Sequence, residues 1–131
     1  MILLDTHVLV WWIENSGRLP ARVSAAIMNA LPALVSPITF WELTVLIERG
    51  RIALDLDVLR WSRDLLAQEP VEIAPITPSI AIGAARLTGF HGDPADRLLY
   101  ATAREMSVPL ISKDGRIQRY ARGHADVKVV W

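Results

Sequence analysis

Four acidic side chains in this sequence could together bind a divalent cation. Asp5, Asp96 and Asp114 fall at or just past the end of a predicted strand or at the start of a predicted helix, and Glu42 lies about two turns into another helix. Mg²⁺ prefers oxygen ligands, usually one or two carboxylates together with waters and phosphate oxygens. A cation held in this way can activate a water molecule and stabilise charge on a phosphodiester.

Asp5 and Asp114 each have a simpler structural interpretation. Asp5 ends an apolar strand and could serve only as a helix cap that Thr6 and nearby backbone groups satisfy. Asp114 precedes Gly115, which is an ordinary position for a turn aspartate. Glu42 lies among apolar residues and by itself decides nothing. Together the acids favour a metal site, because converging carboxylates repel one another unless a cation is present.

The segment from His91 to Arg97 gives different roles to its two aspartates. Asp93 followed by Pro94 is typical of a helix N-cap and first helical position, so we interpret Asp93 as structural. Asp96 then falls in the first turn, where the positive end of the helix favours an ionised carboxylate. The alternative for Asp96 is a capping-box acid that folds back onto its own helix. Asp96 is the better candidate for a metal ligand.

Other catalytic chemistries have little support in the sequence. The three histidines, His7, His91 and His124, are scattered, and we interpret each as a surface or packing residue. The chain has no cysteine, which excludes disulfides, zinc–thiolate sites and thiol nucleophiles and agrees with a reducing cytoplasm.

Short apolar strands alternate with longer helical patterns along the chain, which favours an α/β fold with a mainly parallel sheet. Strands are predicted at residues 2–5, 33–36, 71–74, 109–112 and 127–131. Helices are predicted at residues 6–14, 20–30, 37–50, 57–66, 78–87 and 94–106. Ligands of such sheets bind outside the carboxyl ends of the strands, so we expect the four acids to converge in one cleft there.

Length and composition indicate a single domain over residues 1–131. The hydrophobic fraction of 52% is high for a small monomer and suggests apolar surface that meets a partner. The net charge of zero gives no global argument for nucleic-acid binding, so any RNA contact must be local. Neither a signal peptide nor an apolar stretch long enough to span a bilayer is evident, so we expect a soluble, cytoplasmic protein without membrane attachment.

Four motifs in order resemble those of PIN-domain proteins, and VapC-type toxins in particular. They are MILLDTH at residues 1–7, SPITFWEL at 36–43, DPADRLLYATA at 93–103 and LISKD at 110–114. Each motif alone is weak, but the ordered set covers nearly the whole chain. The resemblance implies a three-layer α/β/α fold with a roughly five-stranded sheet, Mg²⁺ or Mn²⁺ at the site, and endonucleolytic cleavage of RNA. It also implies a homodimer and neutralisation by a small antitoxin.

The resemblance also assigns roles to individual residues. Thr6 matches the small hydroxyl residue that supports the site, and Asp93 matches the position interpreted above as the helix cap. Arg97 follows the third acid, where a basic residue could pair with a carboxylate or reach RNA phosphate. The family's metal-binding and catalytic acids fall on Asp5, Glu42, Asp96 and Asp114.

Basic residues near the last acid are candidates for RNA contacts. Lys113, Arg116 and Arg119 lie close to Asp114, and Arg122 continues the helical spacing, so they could form an edge that follows RNA phosphates. A solvated helix face explains the same pattern.

Adjacent tryptophans, Trp11 and Trp12, cannot both point into one core, because neighbouring helix positions diverge by about 100°. One of them is therefore expected to meet a partner, unless both pack at the flanks of a wide apolar face.

Three rival functions remain to be considered. A phosphatase of the haloacid-dehalogenase type would use Asp5 as nucleophile, but such enzymes need a second aspartate two residues later, where this chain has His7. A non-catalytic RNA- or protein-binding module of the same fold would not need all four acids. An RNA-processing nuclease that works without an antitoxin has the same sequence features as a toxin.

Overall fold

The computed structural model describes residues 1–68 and 70–131, which form a five-stranded sheet flanked by seven helices. The strands are β1 (Ile2–Leu4), β2 (Ala33–Val35), β3 (Val71–Ile73), β4 (Leu110–Ile111) and β5 (Val129–Val130). The helices are α1 (Thr6–Ile13), α2 (Ala21–Asn29), α3 (Pro37–Glu48), α4 (Val58–Leu66), α5 (Pro78–Ala85), α6 (Pro94–Met106) and α7 (Gly115–His124). The predicted α/β fold is confirmed, and the predicted elements lie at or slightly inside their predicted bounds, whereas α7 was not among the predicted helices.

All the strand pairs are parallel, and β1 lies in the middle of the sheet. The strand order is β3-β2-β1-β4-β5. Parallel neighbours need a connection that crosses back over the sheet, and the helices supply these connections. In the register of the central pair, Leu4 lies beside Ile111, so β1 and β4 end side by side. The residues that follow these two strands therefore start from the same point on the carboxyl edge.

Helices cover both faces of the sheet, as strands that are apolar throughout require. One core contains Leu3, Leu34 and Leu110 from the strands, packed against residues of α6 and α7. The opposite core contains Leu4 and Ile111, packed against residues of α1, α2 and α4. Alternation along each strand thus produces the three-layer α/β/α arrangement.

Helix starts follow local capping rules. The Ser36 hydroxyl accepts a hydrogen bond from the N–H of Ile38, and the Thr77 hydroxyl accepts one from Ile80, with a proline in the first turn of each helix. Pro20 differs from the prediction, since it occupies the N-cap of α2 rather than the first helical position. Its extended ψ of 144° directs the chain into the helix, which begins one residue later.

The two adjacent tryptophans diverge as predicted. Trp12 packs against the core formed with α1, α2 and α4. Trp11 instead forms part of the wall of the cleft described below, where its ring lies near those of His7 and Trp131. In the part of the chain that the structure describes, no helix is both long enough and apolar enough to cross a membrane.

We expect Leu34→Ala to lower the free energy of unfolding by about 3 kcal/mol, because truncating a buried leucine leaves a cavity. Leu34 is 1% exposed, whereas Leu59 of α4 is 56% exposed and serves as the matched control. Leu59→Ala should change stability by less than about 0.5 kcal/mol. Urea unfolding followed by circular dichroism measures both. Equal losses in the two variants would contradict the assignment of the core.

Candidate functional site

Asp5 lies at the carboxyl end of β1, and hydrogen bonds hold its carboxylate on two sides. Its Oδ1 accepts a hydrogen bond from the N–H of Thr6 at 2.6 Å, and its Oδ2 accepts one from the Ser112 hydroxyl at 2.7 Å. Asp5 is also the N-cap of α1. Capping and a position in the cleft are therefore compatible roles for this residue.

Ser112 joins two of the predicted acids, and the sequence analysis missed it. The residue is fully buried directly after β4, and its Oγ accepts a hydrogen bond from the N–H of Asp114 at 3.1 Å while donating to Asp5. The signal in the sequence was a hydroxyl residue at the end of a buried strand, two positions before an acid. Ser112 fixes the turn that carries Asp114 relative to β1.

Asp93 and Asp96 divide their roles at the start of α6 as the capping pattern predicts. Asp93 Oδ1 accepts a hydrogen bond from the N–H of Asp96 at 3.1 Å, which makes Asp93 the N-cap. The Asp96 side chain does not fold back onto its own helix. It is buried, and its Oδ2 lies 2.6 Å from Nε2 of His91.

Glu42 is half-buried on α3, while the preceding residue, Trp41, points outward with 59% of its surface exposed. The fully buried Thr6 lies near the Glu42 carboxylate. Burial raises the pKa of Glu42, and the nearby Thr6 hydroxyl partly opposes that rise, although it forms no hydrogen bond of normal geometry with the described residues. A buried hydroxyl without a partner beside a carboxylate is a polar group that a bound cation or its water could satisfy.

A single cleft contains all four predicted acids. Five carboxylates line it, those of Asp5, Glu42, Asp93, Asp96 and Asp114. In each of two groups, three residues bring their potential ligand atoms within 4.8 Å of one another. Asp96 belongs to both groups. The first group is Glu42, Asp93 and Asp96, and the second is His91, Asp96 and Asp114.

Burial and mutual repulsion raise the pKa of three of these carboxyls. Burial is the largest cause for Asp5 and Glu42, and neighbouring carboxylates add to it. The pKa of Asp96 rises to about 6, again chiefly through burial, although the hydrogen bond from His91 opposes the rise. The pKa of Asp114 shifts in the opposite direction, because its hydrogen bonds from Arg116 hold it below the ordinary value.

The donor set fits a hard divalent cation. Carboxylate oxygens are the ligands that Mg²⁺ and Mn²⁺ favour, and burial together with mutual repulsion disfavours the ionised forms of Asp5, Glu42 and Asp96. A cation in the cleft would offset this repulsion. The unpartnered Thr6 hydroxyl is buried next to Asp5, which lines the cleft.

Arg97 does not have the role that the resemblance implied, and this expectation is corrected. Its guanidinium donates to four backbone carbonyls rather than to a carboxylate or into the cleft. The acceptors are the carbonyls of Ala84, Leu87, Phe90 and His91, at 2.9–3.1 Å. Its planar fork fits these acceptors at the C-terminal end of α5, where a positive charge is favoured. Arg97 therefore holds backbone in place.

The interpretation of His91 as a packing residue holds only in part, because the side chain also contacts a carboxylate of the cleft. Its imidazole contacts Asp96 and stacks on the Phe90 ring, with centroids 4.5 Å apart. His91 lies five positions before Asp96, and no helical or strand period relates the two across the loop, so spacing alone did not indicate the pair.

The predicted RNA contacts are only partly brought together. Lys113 and Arg116 line the acidic cleft, and Arg116 also pairs with Asp114, with Nη2 2.9 Å from Oδ2. Arg119 lies on an adjoining groove beside Tyr120, and Arg122 lines a different groove, so the arginines of α7 do not form one continuous edge. The sequence analysis missed two further cations that line the cleft, Arg18 and Arg51.

Comparisons with known proteins identify the family. The model of the PIN domain matches residues 2–123, and the chain belongs to the PIN domain family. It is 42% identical over 131 residues to Ribonuclease VapC22 of Mycobacterium tuberculosis (strain ATCC 25618 / H37Rv), covering 99% of this chain and 98% of that protein. The resemblance to VapC-type PIN domains that the four motifs indicated is therefore confirmed.

Solved structures with the same fold include two toxin–antitoxin assemblies. One is a toxin–antitoxin complex from Klebsiella pneumoniae, with a TM-score of 0.67 and 20% identity over 100% of this chain and 97% of that chain. Another is DNA-bound VapBC from Salmonella typhimurium, with a TM-score of 0.67 and 16% identity over 98% of this chain and 96% of that chain. At these identities the likeness establishes the fold.

The raised pKa of Asp96 predicts how the stability of the metal-free protein depends on pH. Since the folded protein holds this proton more tightly than the unfolded chain, the stabilisation is fully present below the ordinary value of 3.8 and is lost as pH rises through about 6. In EDTA, Asp96→Asn should therefore become more stable relative to wild type between about pH 4 and about pH 7, by at most about 3 kcal/mol. Thermal melts at stepped pH measure this difference, and a constant difference would contradict the prediction.

Proposed function

We propose that this protein is a metal-dependent endoribonuclease and the toxin of a toxin–antitoxin pair. The observation that carries the proposal is the convergence of five carboxylates in one cleft at the carboxyl edge of the sheet. Their crowding fits a site that holds a divalent cation. The 42% identity to a protein named as a ribonuclease supports RNA as the substrate.

Asp5, Glu42, Asp96 and Asp114 would hold Mg²⁺ or Mn²⁺, with Thr6 supporting the site. When bound, the cation supplies an activated water and stabilises charge on the phosphodiester. Asp93 would act mainly as the cap of α6, since its carboxylate already accepts a hydrogen bond from the backbone of that helix.

Cationic side chains at the cleft would bring RNA phosphate to an otherwise acidic site. Arg18, Arg51, Lys113 and Arg116 line the same cleft as the carboxylates, so they can bind backbone phosphates on either side of the cleaved bond. Arg119, on the adjoining groove, would extend this contact. These contacts orient the RNA backbone without requiring a particular base, because phosphate carries no sequence information.

The partner part of the proposal rests on apolar surface and on the structural likeness. Trp41 and Ile82 are large apolar side chains that are more than half exposed, at 59% and 51%. Large exposed apolar side chains of this kind are candidates for contact with a partner. We infer a homodimer that also binds a small antitoxin, in line with the toxin–antitoxin complexes of the same fold.

Two alternative functions predict different results in cleavage and binding experiments. An RNA-processing nuclease of the same fold would cleave RNA without an antitoxin, and a non-catalytic binding module would bind RNA or protein without cleaving. Five carboxylates gathered in one cleft favour an enzyme over a binding module, because without a cation their repulsion is unfavourable.

RNA cleavage should require Mg²⁺ or Mn²⁺ and should fall by about 100-fold or more in Asp5→Asn and Asp96→Asn, since Asn removes the charge that holds a hard cation. The loss should appear in turnover more than in RNA affinity. Asp93→Asn should stay within about tenfold of wild type, because Asn caps a helix about as well as Asp.

Asp57→Asn is the matched control, since Asp57 is an exposed N-cap on α4 that does not line the cleft. The assay follows cleavage of a labelled RNA, with thermal melts beside it. Persistent cleavage in excess EDTA would exclude the metal mechanism. If Asp93→Asn does not cleave RNA while Asp96→Asn does, Asp93 is the metal ligand and Asp96 the helix cap, the reverse of the roles proposed here.

The partner proposal predicts that the chain purifies as a dimer and forms a stable complex when co-expressed with the short protein encoded beside it. Binding of that protein should suppress RNA cleavage. Light scattering after size exclusion gives the mass of each species. A monomer at all micromolar concentrations, together with cleavage that no neighbouring gene product inhibits, would favour the RNA-processing alternative.

A further inference from the structure

His91 contacts the carboxylate that belongs to both acidic groups of the cleft. Its Nε2 lies 2.6 Å from Asp96 Oδ2, and both side chains are largely buried. When Asp96 is ionised, as a metal ligand is, its carboxylate can only accept a hydrogen bond, so the Nε2 that faces it carries the proton and donates it. A nitrogen that carries a proton has no lone pair to offer a metal ion.

The contact has the geometry of a hydrogen bond. The Nε2–Oδ2 distance of 2.6 Å is that of a strong hydrogen bond. Magnesium also prefers oxygen to imidazole nitrogen.

The contact occupies one oxygen of Asp96 and leaves the other available. Oδ2 accepts from His91 and has Arg116 Nη2 at 3.8 Å, whereas Oδ1 has no hydrogen-bond donor among residues 1–68 and 70–131. A carboxylate whose Oδ2 is held by a hydrogen bond cannot rotate freely about its Cβ–Cγ bond. The position of its Oδ1 is therefore fixed as well.

The His91 imidazole is fixed by an aromatic neighbour and by backbone hydrogen bonds in its loop. It stacks on Phe90, whose ring is buried against Tyr100 and Tyr120. The carbonyls of Phe90 and His91 each accept a hydrogen bond from Arg97 at 2.9 Å. Since Arg97 is on the first turns of α6, the helix that carries Asp96 also fixes the loop that carries His91.

We propose that His91 is a positioning residue that orients the Asp96 carboxylate for a divalent cation, and that Arg97 fixes the loop from which it acts. The inference rests on the proposed metal-dependent function and concerns how tightly the cation is held. Residues that hydrogen-bond a metal ligand commonly change metal affinity by about 10- to 100-fold when they are replaced.

Two substitutions of His91 separate orientation from packing. His91→Phe keeps a ring that can stack on Phe90 but removes the hydrogen-bond donor. His91→Gln restores an N–H donor at a similar reach. The matched control is His124→Phe, because His124 also stacks on an aromatic ring, that of Tyr120, but is exposed and lies outside the cleft.

The measurement is Mn²⁺ binding to the full chain without RNA, followed by electron paramagnetic resonance of the free ion. His91→Phe should weaken Mn²⁺ binding by about tenfold or more, whereas His91→Gln and His124→Phe should stay within about threefold of wild type. In RNA cleavage, excess Mn²⁺ should restore the turnover of His91→Phe, which a general loss of folding would not allow. Thermal melts in EDTA establish that all variants are folded.

The outcomes distinguish the two proposals. If wild type and His91→Phe bind Mn²⁺ equally well, the positioning role is wrong while the ribonuclease proposal stands. If His91→Gln binds as weakly as His91→Phe, the imidazole itself is required and the hydrogen-bond account is overturned. If wild type binds no Mn²⁺ in this assay, the metal-dependent function fails and the positioning role fails with it.

Discussion

Parallel pairing of β1 with β4 is the constraint on which the cleft depends. The register that sets Leu4 beside Ile111 makes the two strands end together, so that Asp5 and Ser112 leave the sheet side by side. The hydrogen bond between Ser112 and Asp5 follows from this register, and a local bond from the backbone of Asp114 to Ser112 then places Asp114. A slip of one residue would turn the strand residues to the opposite face and separate these groups.

A second level of organisation joins the start of α6 to the end of α5. Asp96 and Arg97 are neighbours in the sequence but point in different directions, one into the cleft and the other into backbone carbonyls. Because Arg97 occupies several carbonyls at once, the loop that leads into α6 is tied to the helix that follows it. The acid side of the cleft is therefore supported by backbone hydrogen bonds as well as by the sheet.

Much of this architecture could be predicted from the sequence because it depends on local rules. Caps such as Ser36 and Asp93, and acids at the ends of strands such as Asp5, follow from capping preferences and apolar runs. The partners of His91 and the acceptors of Arg97 could not be predicted in this way. They depend on how a loop between two helices folds back, and no periodicity in the sequence encodes that geometry.

Three of the acids in the cleft are helix N-caps, namely Asp5 on α1, Asp93 on α6 and Asp114 on α7. The beginnings of these helices therefore gather around one space, and each presents roughly half of a positive charge from its free N–H groups. Together they bring roughly one and a half positive charges to the carboxylates without any ion. This fixed background partly offsets the repulsion among the carboxylates, so a cation of the kind proposed above would enter a cleft that the folded chain has already formed.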